Sequence, residues 1–267
     1  MSSSLLSAQG LLKTLLEPLT RNLTYTMVFG GVPIRRRGGL GFLQGIRRRE
    51  STPEERFLAS LSLQGKTVYD VGGYIGLVTV FFARKVGETG RVIVFEPLPE
   101  HCRLIEQHLR LNGVTGVRVM NMGVGDRASS LAMAVRRGAS ATASLENRIR
   151  EQILSEPGAR RVEVMVDTLD HIIETHVLPE PDFIKLDVEG YEYQALLGME
   201  QTMSRYGPDL FIEIHGKDPA HKRQNIRRIV DLLRQRNYAI HHVETSQEVS
   251  SANAEVAAEG HIFCVPN

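Results

Sequence analysis

Short apolar segments alternate with longer helical patterns along most of the chain. Five apolar runs predict strands, at residues 67–70, 92–95, 117–120, 183–186 and 209–214. Between them, apolar residues recur at helical spacing. The best defined predicted helices cover residues 75–86, 99–112, 192–204 and 219–237. This alternation is typical of an α/β fold with a largely parallel sheet.

The two last apolar segments, 238–243 and 261–265, have no helical pattern between them. They predict an antiparallel hairpin that closes the sheet. Residues 134–162 are polar and rich in Ser, Ala and Arg, so we interpret them as an insertion or lid.

A further helix is expected ahead of the first strand. Thr52 has the character of an N-cap, Pro53 suits the first helical position, and Glu55 completes a capping box with Thr52.

The first 50 residues differ from the rest in pattern and in charge. Leucines between residues 5 and 19 roughly fit one helical face, and Pro18 limits its length. Eight Lys and Arg stand against two Glu here, although the whole chain is nearly balanced at +1. We therefore divide the chain into a basic helical arm at 1–50 and a main domain at 51–267. The leucine-rich arm also makes a homodimer plausible.

Composition excludes several classes of protein. With 42% hydrophobic and 24% charged residues, the 267-residue chain has the composition of a soluble globular protein. Cys102 and Cys264 are too far apart for a zinc motif and too few for a disulfide framework. No apolar run has the length of a membrane span, and no secretory signal pattern opens the chain. We expect a cytoplasmic protein.

The sharpest motif is a strand that runs into a glycine-rich turn, at Asp70, Gly72, Gly73 and Gly76. Glycine is required where the backbone approaches a ligand or where helix and strand pack tightly. The next strand ends in Glu96, 20 residues beyond Gly76, where an acid can accept both ribose hydroxyls of an adenosine. Order and spacing together favour an adenosine-containing cofactor.

Asp70 decides which cofactor is favoured. Dinucleotide sites have the spacing G-x-G-x-x-G, whereas this turn reads D-x-G-G-x-x-G. An acid is repulsive beside a pyrophosphate but attracts the ammonium and sulfonium of S-adenosylmethionine. S-adenosylmethionine is therefore the predicted cofactor.

Charged residues also stand near the carboxyl ends of two predicted strands. Lys185 and Asp187 point to one side of the first, and Glu213 and His215 share a side of the second. Central strands are normally apolar, so charges at this edge point to the ligand crevice. The alternative is that these residues form ion pairs at the sheet rim without a ligand.

Five ordered runs resemble the FkbM family of S-adenosylmethionine-dependent methyltransferases. They are DVGGYIG at 70–76, VFEP at 94–97, NMGVGD at 121–126, IKLDVEGYE at 184–192 and IEIHG at 212–216. The resemblance implies a seven-stranded Rossmann-like class I fold, mostly O-methyl transfer, and acceptors such as natural products or sugars.

The resemblance also implies residue roles. Asp70, Gly72 and Gly76 would line the amino-acid half of the cofactor and Glu96 the ribose. Met122 and Gly123 would lie near the adenine.

The chemistry of methyl transfer suggests roles for the charged residues. The acceptor must lie in line with the methyl group, and a hydroxyl must lose its proton as the bond forms. The resemblance implies that Asp187 is close to the methyl. Asp187 and His215 are the candidate bases, and His215 is favoured because its ordinary pKa suits neutral pH. Glu213 would orient His215 or bind substrate. Lys185 and Glu189 are expected to contact the substrate.

Other readings remain open. Asp187, Glu213 and His215 could hold a divalent metal, although the sequence does not favour one and we assign no metal ligands. An NAD-linked oxidoreductase would share the sheet topology. A nucleic-acid methyltransferase or RNA-binding module would use the arginine clusters at 35–37 and 47–49, but clusters beside an acidic body more often form surface ion pairs. We therefore expect a small-molecule acceptor and no nucleic-acid partner.

Overall fold

A seven-stranded sheet forms the centre of the protein in a computed structural model, which describes residues 23–37, 50–136, 143–156 and 158–267. Its strands, in chain order, are β3 (Thr67–Val71), β4 (Arg91–Phe95), β5 (Val117–Met120), β10 (Phe183–Leu186), β11 (Asp209–Glu213), β12 (Tyr238–His242) and β13 (His261–Pro266). Their spatial order is β12-β13-β11-β10-β3-β4-β5. The predicted seven-stranded, mostly parallel sheet is thereby confirmed.

The five strands from β11 to β5 run parallel, and β13 is antiparallel to both of its neighbours, β11 and β12. β12 and β13 pair as predicted, but β13 lies between β12 and β11. The last strand of the chain is thus an interior strand. The 18 residues between β12 and β13 include a short 3-10 helix at Ala254–Ala257, so the connection is not a tight turn.

Helices cover both faces of this sheet. On one face lie α1 (Pro53–Ser60), α2 (Leu77–Val86) and α3 (Pro99–Leu111), and on the other α5 (Leu169–His176), α6 (Glu192–Leu197), α7 (Glu200–Tyr206) and α8 (Pro219–Gln235). Alternate strand residues face the two layers, so that Val68 and Val92 pack with α2 while Tyr69 and Ile93 pack in the opposite core. The parallel strands are therefore buried on both sides.

The predicted helix start at Thr52 is found. Thr52 caps α1, with Pro53 in its first turn, and the Thr52 hydroxyl accepts from the Glu55 amide at 3.1 Å. The Thr52 amide in turn points to the Glu55 carboxylate at 3.4 Å. α1 therefore begins where the sequence places it.

The helix predicted over 192–204 is divided into α6 and α7. A Cβ on Gly198 would lie 1.8 Å from the Gly125 carbonyl oxygen, so the chain passes against another segment there. Asp170 accepts from the amides of Gln201 and Thr202 at 2.9 and 2.7 Å and caps the start of α7. The close approach of the chain at Gly198 and the cap that Asp170 supplies therefore divide one helical pattern into two helices.

A second sheet follows β5 and holds the predicted insertion. It comprises β6 (Gly123–Val124), β7 (Ser129–Arg136), β8 (Ala143–Ser144) and β9 (Ala159–Asp167) in the order β6-β9-β7-β8, with α4 (Asn147–Leu154) beside it. The predicted range 134–162 begins inside β7 and ends inside β9. Its ends therefore do not coincide with those of the second sheet.

The first described residues form a β-hairpin, β1 (Thr24–Phe29) and β2 (Val32–Arg37). Phe29 and Ile34 are buried in the core that holds α2. The Arg35 amide donates to the Asn112 side chain at 2.8 Å, which ties the hairpin to the end of α3. The predicted leucine helix at 5–19 and the arginines at 47–49 lie outside the described residues.

Within the described part of the chain, no helix is both long and apolar enough to cross a membrane.

Candidate functional site

The glycine-rich turn joins β3 to α2 and contacts the segment after β10. Gly72 has φ of 89° and would place a Cβ 1.7 Å from the Asp187 carbonyl oxygen. The amides of Gly72 and Gly73 both donate to the Phe95 carbonyl, at 2.9 and 3.1 Å. The predicted cofactor turn and the predicted catalytic strand end therefore meet at Gly72.

Gly73 and Gly76 allow this turn to pack closely against neighbouring elements. A Cβ on Gly73 would lie 2.1 Å from Val94, and one on Gly76, where φ is 82°, would lie 3.2 Å from the Ile105 backbone. These two glycines let the turn pack against β4 and α3, whereas Gly72 lines a cavity at the edge of the sheet.

Glu96 stands at the end of β4, where the sequence places it. It is 4% exposed, and its carboxylate accepts from the amides of Tyr74 and Leu98, each at 2.9 Å and each on a different oxygen. His101 Nδ1 lies 3.2 Å from the second of these oxygens. The carboxylate is thus fixed at the cavity wall and keeps lone pairs for a further donor.

Asp70 is fully buried beneath the turn. It accepts from the Thr79 hydroxyl at 2.6 Å, and its second oxygen, Oδ1, is 3.9 Å from Lys185 Nζ. That oxygen is buried and has no hydrogen-bond partner among the described residues. Burial raises the pKa of Asp70, against the opposing influence of Lys185 and Thr79. Asp70 therefore lies beneath the turn and does not line the cavity.

One cavity connects the turn, Glu96 and the end of β10. Of the predicted cofactor residues, Gly72, Glu96 and Gly123 line it, whereas Met122 packs against the main core. The sequence did not single out several other lining residues: Tyr74, His101, Met133, Leu145, Val188 and Tyr191. Met133, Leu145 and Tyr191 belong to the apolar cluster of the second sheet. The cavity thus has a polar end at the main sheet and an apolar wall at the second sheet.

Lys185 and Asp187 share a side of the sheet, as predicted. Lys185 Nζ lies 2.9 Å from Asp187 Oδ2, and its side chain is only 3% exposed. Burial works to lower the pKa of Lys185, but the carboxylates of Asp187 and Asp70 raise it above its ordinary value. Burial likewise works to raise the pKa of Asp187, and the positive charges of Lys185 and His215 hold it low. The pair is therefore charged.

His215 is the centre of a group of carboxylates. Its Nδ1 donates to Glu192 Oε1 at 2.9 Å, because an ionised carboxylate can only accept. Its Nε2 faces three other carboxylates, with Glu213 Oε1 at 3.5 Å, Glu189 Oε2 at 3.7 Å and Asp187 Oδ1 at 3.8 Å. The structure thus brings together all four predicted residues of the two strand ends and adds Glu189.

The expectation that His215 is the base rests on its ordinary pKa, which this environment changes. Burial disfavours the charged ring, but the hydrogen bond and charge of Glu192, with Asp187 and Glu189, raise the pKa of His215 to about 10. In these surroundings the ring carries a proton at neutral pH. Burial raises the pKa of Glu189 to about 7.

Several charged neighbours of the group were missed by sequence reasoning. Glu192 is 1% exposed at the start of α6, and Glu54 of α1 is near enough for Lys185 to influence its pKa. His261 of β13 lies with Nε2 3.7 Å from Glu213 Oε2 and Nδ1 2.7 Å from Glu244 Oε1. Glu192 was within reach, since it is the last residue of the IKLDVEGYE run, whereas the others come from distant segments.

The arrangement fits S-adenosylmethionine. Gly72 lines the cavity, the Glu96 carboxylate is held at its wall by two backbone amides, as a ribose-binding acid would need to be, and the buried Asp70 Oδ1 lacks a hydrogen-bond partner beneath the turn. Asp187 and Glu189, both at the cavity, supply negative charge suited to a sulfonium or an ammonium.

Comparison with known proteins agrees with this geometry. A family model described as the Methyltransferase FkbM domain matches residues 70–240, which is more than half of the chain. The chain belongs to this family. The match begins at Asp70 and spans the glycine turn, Glu96, Asp187 and His215. The resemblance read from the motifs is thereby confirmed, together with S-adenosylmethionine as the cofactor of this FkbM-family protein.

Individual relatives are distant. "Methyltransferase 1" of Beauveria bassiana is 28% identical over 145 residues, which cover 50% of this chain and 58% of that protein. "Methyltransferase sdnD" of Sordaria araneosa is 24% identical over 157 residues, 50% of this chain and 60% of that protein. The chain thus spans a little over half the length of these curated relatives.

Among solved structures, a Methyltransferase FkbM from Methylobacillus flagellatus KT is 18% identical. The match covers 80% of this chain and 50% of that one, with a TM-score of 0.49.

Proposed function

We propose that this FkbM-family protein transfers a methyl group from S-adenosylmethionine to a hydroxyl oxygen of a small molecule. The observation that carries the proposal is the contact between the glycine turn and the residue after β10, where Gly72 meets Asp187. The contact joins a ribose-binding carboxylate and a group of acidic side chains in one cavity, so that a donor and an acceptor can meet there.

When bound, S-adenosylmethionine supplies an electrophilic methyl carbon: the acceptor oxygen bonds to it as the carbon–sulfur bond breaks, the electron pair stays on sulfur, and the hydroxyl proton leaves. Glu96 would hold the ribose, and the turn at Gly72 would line the amino-acid half. Asp187 lines the same cavity, with Oδ2 held by Lys185 and Oδ1 facing His215.

We assign the proton acceptor to Glu189 on its position. It lines the cavity beside Asp187 and Val188, and the Ser144 hydroxyl of β8 donates to its backbone carbonyl at 2.6 Å. Its backbone has φ of 52°, a conformation that a non-glycine residue adopts only when its surroundings require it. By contrast, Glu192 fixes His215 through Nδ1, and Lys185 holds one oxygen of Asp187.

A small-molecule hydroxyl suits the two ends of the cavity. Met133, Leu145 and Tyr191 offer an apolar wall to the body of an acceptor, while the carboxylates at the other end receive a polar group. The acceptor proposed is therefore a largely apolar molecule that bears a hydroxyl.

Methyl transfer to paired acceptors tests the proposal. The full chain would be incubated with S-adenosylmethionine carrying an isotopic methyl label and with matched sets of hydroxyl and amine compounds, and products would be identified by mass spectrometry. We expect label on oxygen. Label on nitrogen alone would overturn the O-methyl assignment, and S-adenosylmethionine binding without transfer to any acceptor would leave a binding protein.

Once an acceptor is found, Glu189→Gln tests the assigned base. Loss of the proton acceptor is expected to lower kcat by about 100-fold or more, a larger effect than any on the affinity for S-adenosylmethionine. Glu151→Gln, at an exposed position on α4, is the matched control and should keep full activity. An unchanged kcat in Glu189→Gln would remove the residue from the reaction.

A further inference from the structure

We infer that Asp187, Glu213 and His215 form a binding site for a divalent transition-metal ion, of which Mn²⁺ is the best match. The three side chains come from the ends of β10 and β11, and their ligand atoms all lie within 4.8 Å of one another. Their mixture of carboxylate oxygen and imidazole nitrogen suits Mn²⁺ better than Mg²⁺ or Ca²⁺, which prefer oxygen alone.

The distances around His215 Nε2 fit a missing cation better than hydrogen bonds. The carboxylate oxygens of Glu213 and Asp187 lie 3.5 and 3.8 Å from this nitrogen, whereas a charge-assisted hydrogen bond is about 2.7 to 2.9 Å long. Two ligands that are each about 2.1 Å from one ion lie about 3.0 to 3.4 Å apart at octahedral or tetrahedral angles. The side chains of Asp187 and Glu213 are 26% and 34% exposed, so they have room to close on an ion.

The second contact of His215 is independent support. Glu192, which is 1% exposed, holds Nδ1 at 2.9 Å and thereby directs the Nε2 atom at Asp187 and Glu213. Metal-binding histidines are characteristically held in this way, with one ring nitrogen donating to a carboxylate and the other bound to the ion. Binding of an ion to His215 would therefore release the proton that Nε2 carries in its absence.

His261 is held in the same way as His215, with Nδ1 against a carboxylate and Nε2 facing Glu213. It is nine-tenths buried, its Nδ1 is held by Glu244 at 2.7 Å, and its Nε2 has no hydrogen-bond partner among the described residues. That nitrogen points at Glu213 Oε2, 3.7 Å away. An unpartnered, buried nitrogen directed into an acidic group indicates that the group is incomplete as it stands.

Lys185 does not fill the site. Among the described residues, its ion pairs within 4 Å are to Asp70 and to Asp187 Oδ2. Lys185 therefore leaves Asp187 Oδ1, which faces His215, available to an ion, and among the described residues the cationic neighbours of Glu213 within 4 Å are the rings of His215 and His261.

The role of this ion rests on the proposed function, although its binding does not. Asp187 lines the cavity that would receive the acceptor, so an ion bound to its carboxylate would lie beside the acceptor hydroxyl. It would stabilise the negative charge that develops on the acceptor oxygen as the proton passes to Glu189.

A titration of the full chain with Mn²⁺ tests the site directly. The electron paramagnetic resonance signal of free Mn²⁺ measures how much of the ion is bound. After removal of metals with a chelator, we expect one bound Mn²⁺ per chain. Glu213→Gln and His215→Ala should abolish binding, and Glu192→Gln should weaken it by about 10- to 100-fold through the loss of orientation of His215. Glu259→Gln and His176→Ala, both at exposed positions, are the matched controls and should bind like the unaltered protein.

No bound Mn²⁺ at millimolar concentration would overturn the site, and the group would then be a network of protonated histidines and carboxylates. Binding that survives in His215→Ala, or that is lost equally in the controls, would also overturn it. S-adenosylmethionine binding is measured on the same preparations. A chain that binds S-adenosylmethionine but not Mn²⁺ disproves the metal site alone, whereas one that binds Mn²⁺ but not S-adenosylmethionine disproves the proposed function.

Discussion

Gly72 is the residue at which the two halves of the site depend on each other. A Cβ there would overlap the Asp187 carbonyl at 1.7 Å, and φ of 89° would strain any other residue. Gly72→Ala is therefore expected to cost about 3 to 5 kcal/mol in the free energy of unfolding, because overlap and backbone strain add. Urea unfolding measures this change.

Gly116→Ala measures the cost of backbone strain without the overlap of atoms. Gly116 also has positive φ, 74°, but its Cβ would meet only Gly90 at 3.7 Å. The strain alone should cost about 1 to 2 kcal/mol. Equal losses in the two variants would mean that the close contact with Asp187 does not exist.

The Thr79 hydroxyl is the one hydrogen-bond donor to the buried Asp70 carboxylate among the described residues. Thr79→Val keeps the shape and removes the donor, so we expect a loss of about 1 to 3 kcal/mol in the free energy of unfolding. Thr175→Val removes a comparable hydroxyl bond, to His171, from an exposed helix position. It should change stability by less than about 0.5 kcal/mol. A Thr79→Val variant as stable as Thr175→Val would contradict the described environment of Asp70.

At this scale, sequence reasoning located the residues whose positions follow from local order. Gly72 and Glu96 stand at the ends of successive strands, and the turn chemistry identifies them. The pattern could not show that Glu192 holds His215, because their contact depends on how α6 packs over β11. His261 and Glu244 were missed for the same reason, since β13 enters the sheet beside β11 only in the folded chain.

At the scale of elements, α1 is defined by its cap. The Thr52 hydroxyl and the Glu55 carboxylate satisfy amides that the first turn would otherwise leave without partners. Thr52→Ala is expected to lower the free energy of unfolding by about 1 kcal/mol. Ser51→Ala, one residue earlier and exposed, is the control and should have no measurable effect. Thermal or urea unfolding that ranks the two variants the other way would rule out the cap.

The elements that sequence reasoning missed have recognisable causes. In β9 the buried Val164 and Val166 flank Met165, which is 60% exposed, so the strand has the two-residue alternation of a half-buried sheet. Charged residues at the start of the same strand contributed to the polar character of the predicted insertion at 134–162. The break between α6 and α7 had a local sign in Gly198, but its cause, the contact with Gly125, comes from the tertiary fold.

At the scale of the whole molecule, the order of the strands explains why the site lies where it does. β3 is flanked by β10 and β4, so the carboxyl ends of three neighbouring parallel strands bring Gly72, Asp187 and Glu96 to one edge. Ligands bind at such edges in open α/β sheets. The alternation of strands and helices was sufficient to predict this edge, whereas the apolar wall of the cavity comes from the second sheet, which the pattern did not resolve.

Calorimetric titration of the full chain with S-adenosylmethionine, S-adenosylhomocysteine and NAD tests the central claim most directly. The structure predicts micromolar binding of both adenosyl ligands and none of NAD. Glu96→Gln should weaken that binding at least about 10-fold, because a carboxylate that receives the ribose loses its charge and one acceptor. Glu100→Gln, nearby but half-exposed and paired with Arg160, should bind normally. Binding of NAD alone, or equal affinities in the two variants, would contradict the account.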